Sequence, residues 1–102
     1  MTYRPGPSMQ IVIGIVESAI PGAGQFAPAL TRALDALRNG EKPSDAAALR
    51  TLRNLLDAQR RYWSVDETRV GKGHYLRPRV IRAADPRKAD ACARVLARLE
   101  DR

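Results

Sequence analysis

The chain is short of cysteine, histidine, aromatic side chains and long apolar runs, and each shortage closes off a class of protein. Its one cysteine, Cys92, has no second thiol to pair with. That excludes a disulfide scaffold and fits a reducing compartment. One cysteine and one histidine, His74, do not supply a self-contained zinc site of the usual Cys/His kind. Aromatics are 5% of the residues, so the core must be built from aliphatic side chains. The longest apolar run, Ile11-Val12-Ile13-Gly14-Ile15-Val16, is broken by Glu17 and Pro21. At roughly ten residues it is too short to span a bilayer. It also makes a poor secretory leader, because a single arginine precedes it and Glu17 sits against it.

Catalytic signatures are equally scarce. Gly71-Lys72 has the end of a phosphate loop, but the positions that need an earlier glycine and a following Ser/Thr hold Asp66 and Gly73. His74 has no nucleophile beside it in sequence and so suggests no triad. Asp66-Glu67 has the charge to meet a cation; such a pair more often marks a solvated turn or a helix start. Cys92 falls on an apolar stripe, where a cysteine behaves as a small hydrophobe. No enzyme, cofactor or metal is expected.

What the chain does have is one domain's worth of residues, 102, with 44% hydrophobic content drawn mostly from Ala, Leu, Val and Ile. Such Ala/Leu/Arg-rich composition favours helices. The formal net charge is +7, and 15 of the 18 basic residues are arginine. Arginine suits forked contact with phosphate or carboxylate, and this balance points to nucleic acid, acidic protein or anionic lipid. The coding bias of a GC-rich genome would write the same excess of Arg and Ala.

Residues 1–8 read as an irregular arm. The β-branched run at 11–16 fits either a short buried strand or a buried helix. "PGAG", Pro21 to Gly24, is a turn. Phe26, Leu30, Ala33, Leu34 and Leu37 then recur at helical spacing, with Pro28 in the first turn and Asn39-Gly40 as the stop. The next helix is capped by Ser44 or Asp45. It carries Leu49, Leu52, Leu55, Leu56 and Trp63 as a stripe, and should form a hairpin with its predecessor. Ser64-Val65-Asp66-Glu67 matches a capping box, and "HYLRPRVIR" could be an extended edge segment. Asp85-Pro86 opens a last helix with Ala89, Cys92, Val95, Leu96 and Leu99 on one face. The expected fold is mostly α, a small bundle of three to four short helices. They fall at about 9–20, 25–38, 45–63 and 86–100, with residues 64–85 irregular and basic.

That basic stretch, Arg60 to Arg82, is the candidate site. Arg60, Arg61, Arg69, Lys72, Arg77, Arg79 and Arg82 supply phosphate-directed charge, and Tyr62, Trp63 and Tyr75 supply flat faces. Gly71 and Gly73 let a backbone approach a ligand. A basic track with aromatic platforms is what binding to a single strand or to irregular RNA requires. The plainer reading is that Tyr62 and Trp63 plug the end of a core and the charges form a solvated face.

Residues 20–63 also resemble the C-terminal helical region of internal virion (ejection-type) proteins of tailed bacteriophages. The likeness is carried by the Pro/Gly turn, the small-residue helix, the connector with Glu41 and Gly40, and the "LRTLRNLL" helix running into Tyr62-Trp63. Asp57 to Arg61 lack the Pro and Asn of that pattern. The resemblance implies a phage origin and a structural or assembly role, and brings no catalytic residue. The expectation is a non-enzymatic structural or interaction protein, cytoplasmic or virion-associated, with a protein partner or self-association. The alternative is a small nucleic-acid-binding protein using Arg60 to Arg82; a membrane partner is disfavoured.

Overall fold

A computed structural model describes residues 3–69 and 79–100. It shows four helices, α1 (Pro7–Ala19), α2 (Ala27–Arg38), α3 (Ala46–Ser64) and α4 (Pro86–Glu100), with two strands, β1 (Glu67–Arg69) and β2 (Arg79–Arg82), between the last two helices. The mostly helical bundle expected from composition is therefore observed. Among the described residues no helix is long and apolar enough to cross a membrane.

Local sequence explains the boundaries. α1 begins two residues earlier than expected, because Pro7 occupies its first turn, where a missing N–H costs nothing. The Ile11–Val16 run is helical, and Val12 and Val16 are fully buried. Two short 3₁₀ turns, Ile20–Gly22 and Gly24–Phe26, carry the chain to α2. α2 stops at Asn39-Gly40. There the Gly40 N–H donates to the Leu37 carbonyl at 3.1 Å and the Glu41 N–H to the Ala36 carbonyl at 2.8 Å, with Gly40 at φ +72°. This paired closure satisfies two of the helix's last carbonyls and needs a left-handed residue at Gly40. Asp45, not Ser44, caps α3, accepting from the Ala47 N–H at 3.0 Å. Asp85 caps α4, accepting from the Lys88 N–H at 3.2 Å.

The helices form a closed ring in which α1 packs on α2, α2 on α3, α3 on α4 and α4 back on α1, while α1 and α3 face each other across the middle. Leu30, Leu37, Leu52, Leu56, Cys92, Val95 and Leu99 join Val12 and Val16 in one core, and among the described residues no polar side chain is buried with them. Each such aliphatic side chain contributes about 1.5–3 kcal/mol when fully buried. Exposed pairs such as Arg38–Glu17 (2.5 Å) and Arg53–Glu100 (3.2 Å) add little by comparison. Among the described elements the α3–α4 interface is the most extensive.

Three sequence expectations are corrected. Phe26 does not join the α2 face: it lies in the 3₁₀ turn before the helix and is 53% exposed, because the tighter turn rotates it out of the helical register. On α4, Ala91 is buried, whereas Ala89 and Leu96 are only half-buried. Residues 64–85 are not irregular throughout. β1 and β2 pair antiparallel, Thr68 opposite Val80 and Arg69 opposite Arg79, with a bulge between Glu67 and Thr68 that leaves Ile81 unpaired. The capping-box reading fails with it: Ser64 closes α3, its hydroxyl donating to the Arg60 carbonyl, and Glu67 enters a strand. Among the described residues neither strand makes a broad contact with a helix.

Candidate nucleic-acid interface

The last turns of α3 carry the first four candidate residues. Arg60 donates to Asp57 at 2.8 Å and Arg61 donates to the other oxygen of the same carboxylate. The hydrogen bond from Arg60 and then that from Arg61 hold the Asp57 carboxyl below its ordinary value. Two of the seven cations of the track are therefore already paired. Tyr62 and Trp63 follow, their rings edge to face with centroids 4.8 Å apart. The Trp63 indole N–H donates to Gln59 at 2.8 Å, which turns the ring along the helix.

Arg82, at the end of β2, folds back onto this helix end. One guanidinium nitrogen donates to the carbonyls of Tyr62 (2.8 Å) and Val65 (3.3 Å). These are carbonyls that the end of a helix leaves without partners. The guanidinium carbon lies 3.5 Å from the centre of the Tyr62 ring, a stacked cation–π contact. Its Nε is 3.5 Å from Glu67 Oε2. That is an ion-pair distance without hydrogen-bond geometry, and Nε is otherwise buried and unpartnered. Arg82 is 17% exposed, so it anchors the ribbon and does not present charge to solvent. Asp66 accepts from the Ala84 N–H at 2.7 Å and the Trp63 carbonyl from the Asp85 N–H at 2.9 Å, which pins the start of α4 to the end of α3. Asp66 and Glu67 thus serve different partners and do not converge on one cation.

The aromatic platforms are covered in part. Arg82 lies over Tyr62, and the Lys88 ammonium lies 4.1 Å from the Trp63 ring centre. Sequence spacing gave no sign of the Lys88 contact, since Lys88 belongs to a different helix. Arg69 and Arg79 are placed as a cross-strand pair at the outer end of the described ribbon, and beside them Val80 and Ile81 are 57% and 48% exposed. These four residues line a concavity of about 430 Å³. Lys72, Tyr75 and Arg77, with Gly71, Gly73 and His74, lie outside the described residues. Among the described residues no group of three or more His, Cys, Asp or Glu comes together. Comparisons with protein-family models, with curated proteins and with solved structures each returned no match.

Proposed function

We propose that the protein is a non-enzymatic binding protein whose helical body presents a cationic two-stranded ribbon to a polyanionic partner, nucleic acid above all. One observation supports this reading most directly. Arg69 and Arg79 face each other across the ribbon, and neither forms an ion pair with a carboxylate among the described residues. The intervening residues 70–78 contain no Asp or Glu. Like charges opposite one another destabilise a strand pair, and an anion bound between them relieves that repulsion. Anisotropy with labelled nucleic acid, on protein freed of co-purified nucleic acid, should give binding that weakens steeply with salt. Arg69→Ala with Arg79→Ala should weaken it more than Arg60→Ala with Arg61→Ala, whose charges rest on Asp57. No binding at low salt would sink the proposal.

A second reading, an assembly component of the phage type, has its own support in α1. That helix buries Met9, Val12 and Val16 inward. On its flank Ile11, Gly14 and Ile15 line a groove with Trp63 and Lys88, Ile11 and Ile15 also packing in part against the core. An open groove with apolar walls suits a docked protein. Docking there would persist at salt concentrations that abolish phosphate contacts, and Ile15→Glu would remove it while sparing nucleic-acid binding.

A further inference from the structure

Resting on the docking reading of the α1 groove, we propose that its occupant is a second copy of this chain, bound face to face and antiparallel. Two open concavities adjoin at Ala19. One, of about 490 Å³, lies between α1 and the end of α3, with Ile11, Gly14 and Ile15 on one side and Gln59 and Trp63 on the other. The second, of about 410 Å³, continues past the end of α1, with Ala23, Phe26 and Leu30 on one side and Thr51, Asn54 and Leu55 on the other. α3 is a wall of both, and Gln59 follows Leu55 by one helical turn, so the two form one face. Ile11, Ile15 and Leu55 pack in part on the core and keep the rest of their surface in the groove. In a chain of which 28% is charged, the residues lining this face carry a single charge, Lys88 at one end.

Charge is the first ground for a second copy. Molecules of net charge +7 repel one another wherever their cationic surfaces meet, and a face with one charge keeps that repulsion least. Lys88 then fixes the orientation. It forms no ion pair among the described residues and lies 4.1 Å from the Trp63 ring centre. A parallel twofold would set Lys88 against Lys88. A twofold axis crossing the groove near Ala19 puts the two at opposite ends, each beside the other copy's Phe26, a ring that attracts a cation. Shape is the second ground. A twofold contact uses the same patch on both copies, so one surface must carry both a projection and a hollow. Phe26, 53% exposed, is the projection, and the antiparallel arrangement brings it to the hollow beside Ile11, Ile15 and Trp63. Gly14, within α1, is exposed, and a Cβ there would meet nothing within 4 Å. No contact inside the molecule calls for a glycine that weakens the helix; close approach of a second backbone does.

The test is sedimentation equilibrium on the full chain, freed of nucleic acid, across the micromolar range at low and at high salt. A reversible dimer is expected. Its affinity should rise as salt screens the repulsion between the copies, the opposite of the salt response of phosphate binding. Phe26→Glu and Gly14→Arg should each weaken the dimer by about tenfold or more, the loss expected at an interface anchor. Both positions are exposed, and arginine is a better helix former than glycine. Gly14→Arg should therefore raise the melting temperature of the monomer while removing the dimer, which a folding defect would not do. A dimer that neither substitution weakens, or that salt dissociates, overturns the proposal. A chain that stays monomeric throughout, yet retains a lysate protein that Gly14→Arg releases, overturns the second copy while the docking reading stands. A monomer that retains nothing overturns both.

Discussion

Arg82 differs from the other arginines in being turned inward, and its replacement should show it. Arg82→Ala removes two hydrogen bonds to helix-end carbonyls and the stack on Tyr62. A charge-assisted bond of this kind is worth about 1.5–3 kcal/mol. The loss should appear as faster hydrogen exchange at the Ala84 and Asp85 amides, and Arg82→Lys should restore only part, since an ammonium lacks the planar fork. Gly40 is a second such position. Its φ of +72° already disfavours any side chain, and an added Cβ would sit 2.7 Å from the Tyr3 ring. Gly40→Ala should cost about 1–2 kcal/mol of stability in denaturant titrations. Adding Tyr3→Ala should remove the collision but not the backbone strain, so most of the loss should remain. Acid should act through carboxylates. Asp45, held by its bond from Arg32 and then by the Ala47 N–H, and Asp57, held by Arg60 and Arg61, both titrate below their ordinary 3.8. A depressed folded-state value means the contribution is present above the unfolded value and is lost as pH falls through the folded one. Melting temperature should therefore hold steady at neutral pH and drop below about pH 4, by less in Asp57→Asn than in the parent chain.

At the scale of elements, the helices were legible because their signals are local. Leu30, Leu34, Leu52, Leu56, Cys92 and Leu99 recur at helical spacing and all six are buried. Asp45, Asn39-Gly40 and Asp85-Pro86 stand where their backbone preferences put helix ends. The ribbon was legible only in part: the extended reading of residues 74–82 covers β2, but nothing marked β1 or the pairing of the two. Its strands are three and four residues long with no buried position, so neither shows an alternation of apolar and polar residues. Their pairing joins segments separated by residues 70–78. The candidate site was legible as a region but not as roles. Nothing in the sequence tells Arg82, which anchors, from Arg79, which projects, because the difference comes from a fold-back onto α3. The interior of α3 should be the least forgiving part of the molecule. Leu52→Ala and Leu56→Ala should each cost about 2–5 kcal/mol. Because α4 packs on both α1 and α3, slow exchange should extend through α3 and α4 together, not through α2 and α3 alone.

Taken whole, the molecule is elongated. Its radius of gyration is 16.2 Å and its extents are 59 × 29 × 23 Å, against about 13 Å for a compact chain of this length. The described strands hold no buried residue, so they add nothing to the core. Replacing residues 68–80 with an Asn-Gly turn, which suits a two-residue hairpin, should bring the scattering radius down toward 13 Å. It should abolish salt-sensitive binding to nucleic acid, yet move the melting temperature by no more than a few degrees, as expected for changes away from the core.

Cys92 turns the same architecture into a clock. The chain's one thiol is fully buried on α4 against the core, and burial pushes its pKa up from the ordinary value, so it is inert while α4 is seated. A thiol reagent can reach it only in the moments when α4 lifts away. The labelling rate, divided by that of an unfolded control, therefore counts those openings directly. Repeating it with a partner bound would show whether an event at the ribbon is felt by the helix that follows it.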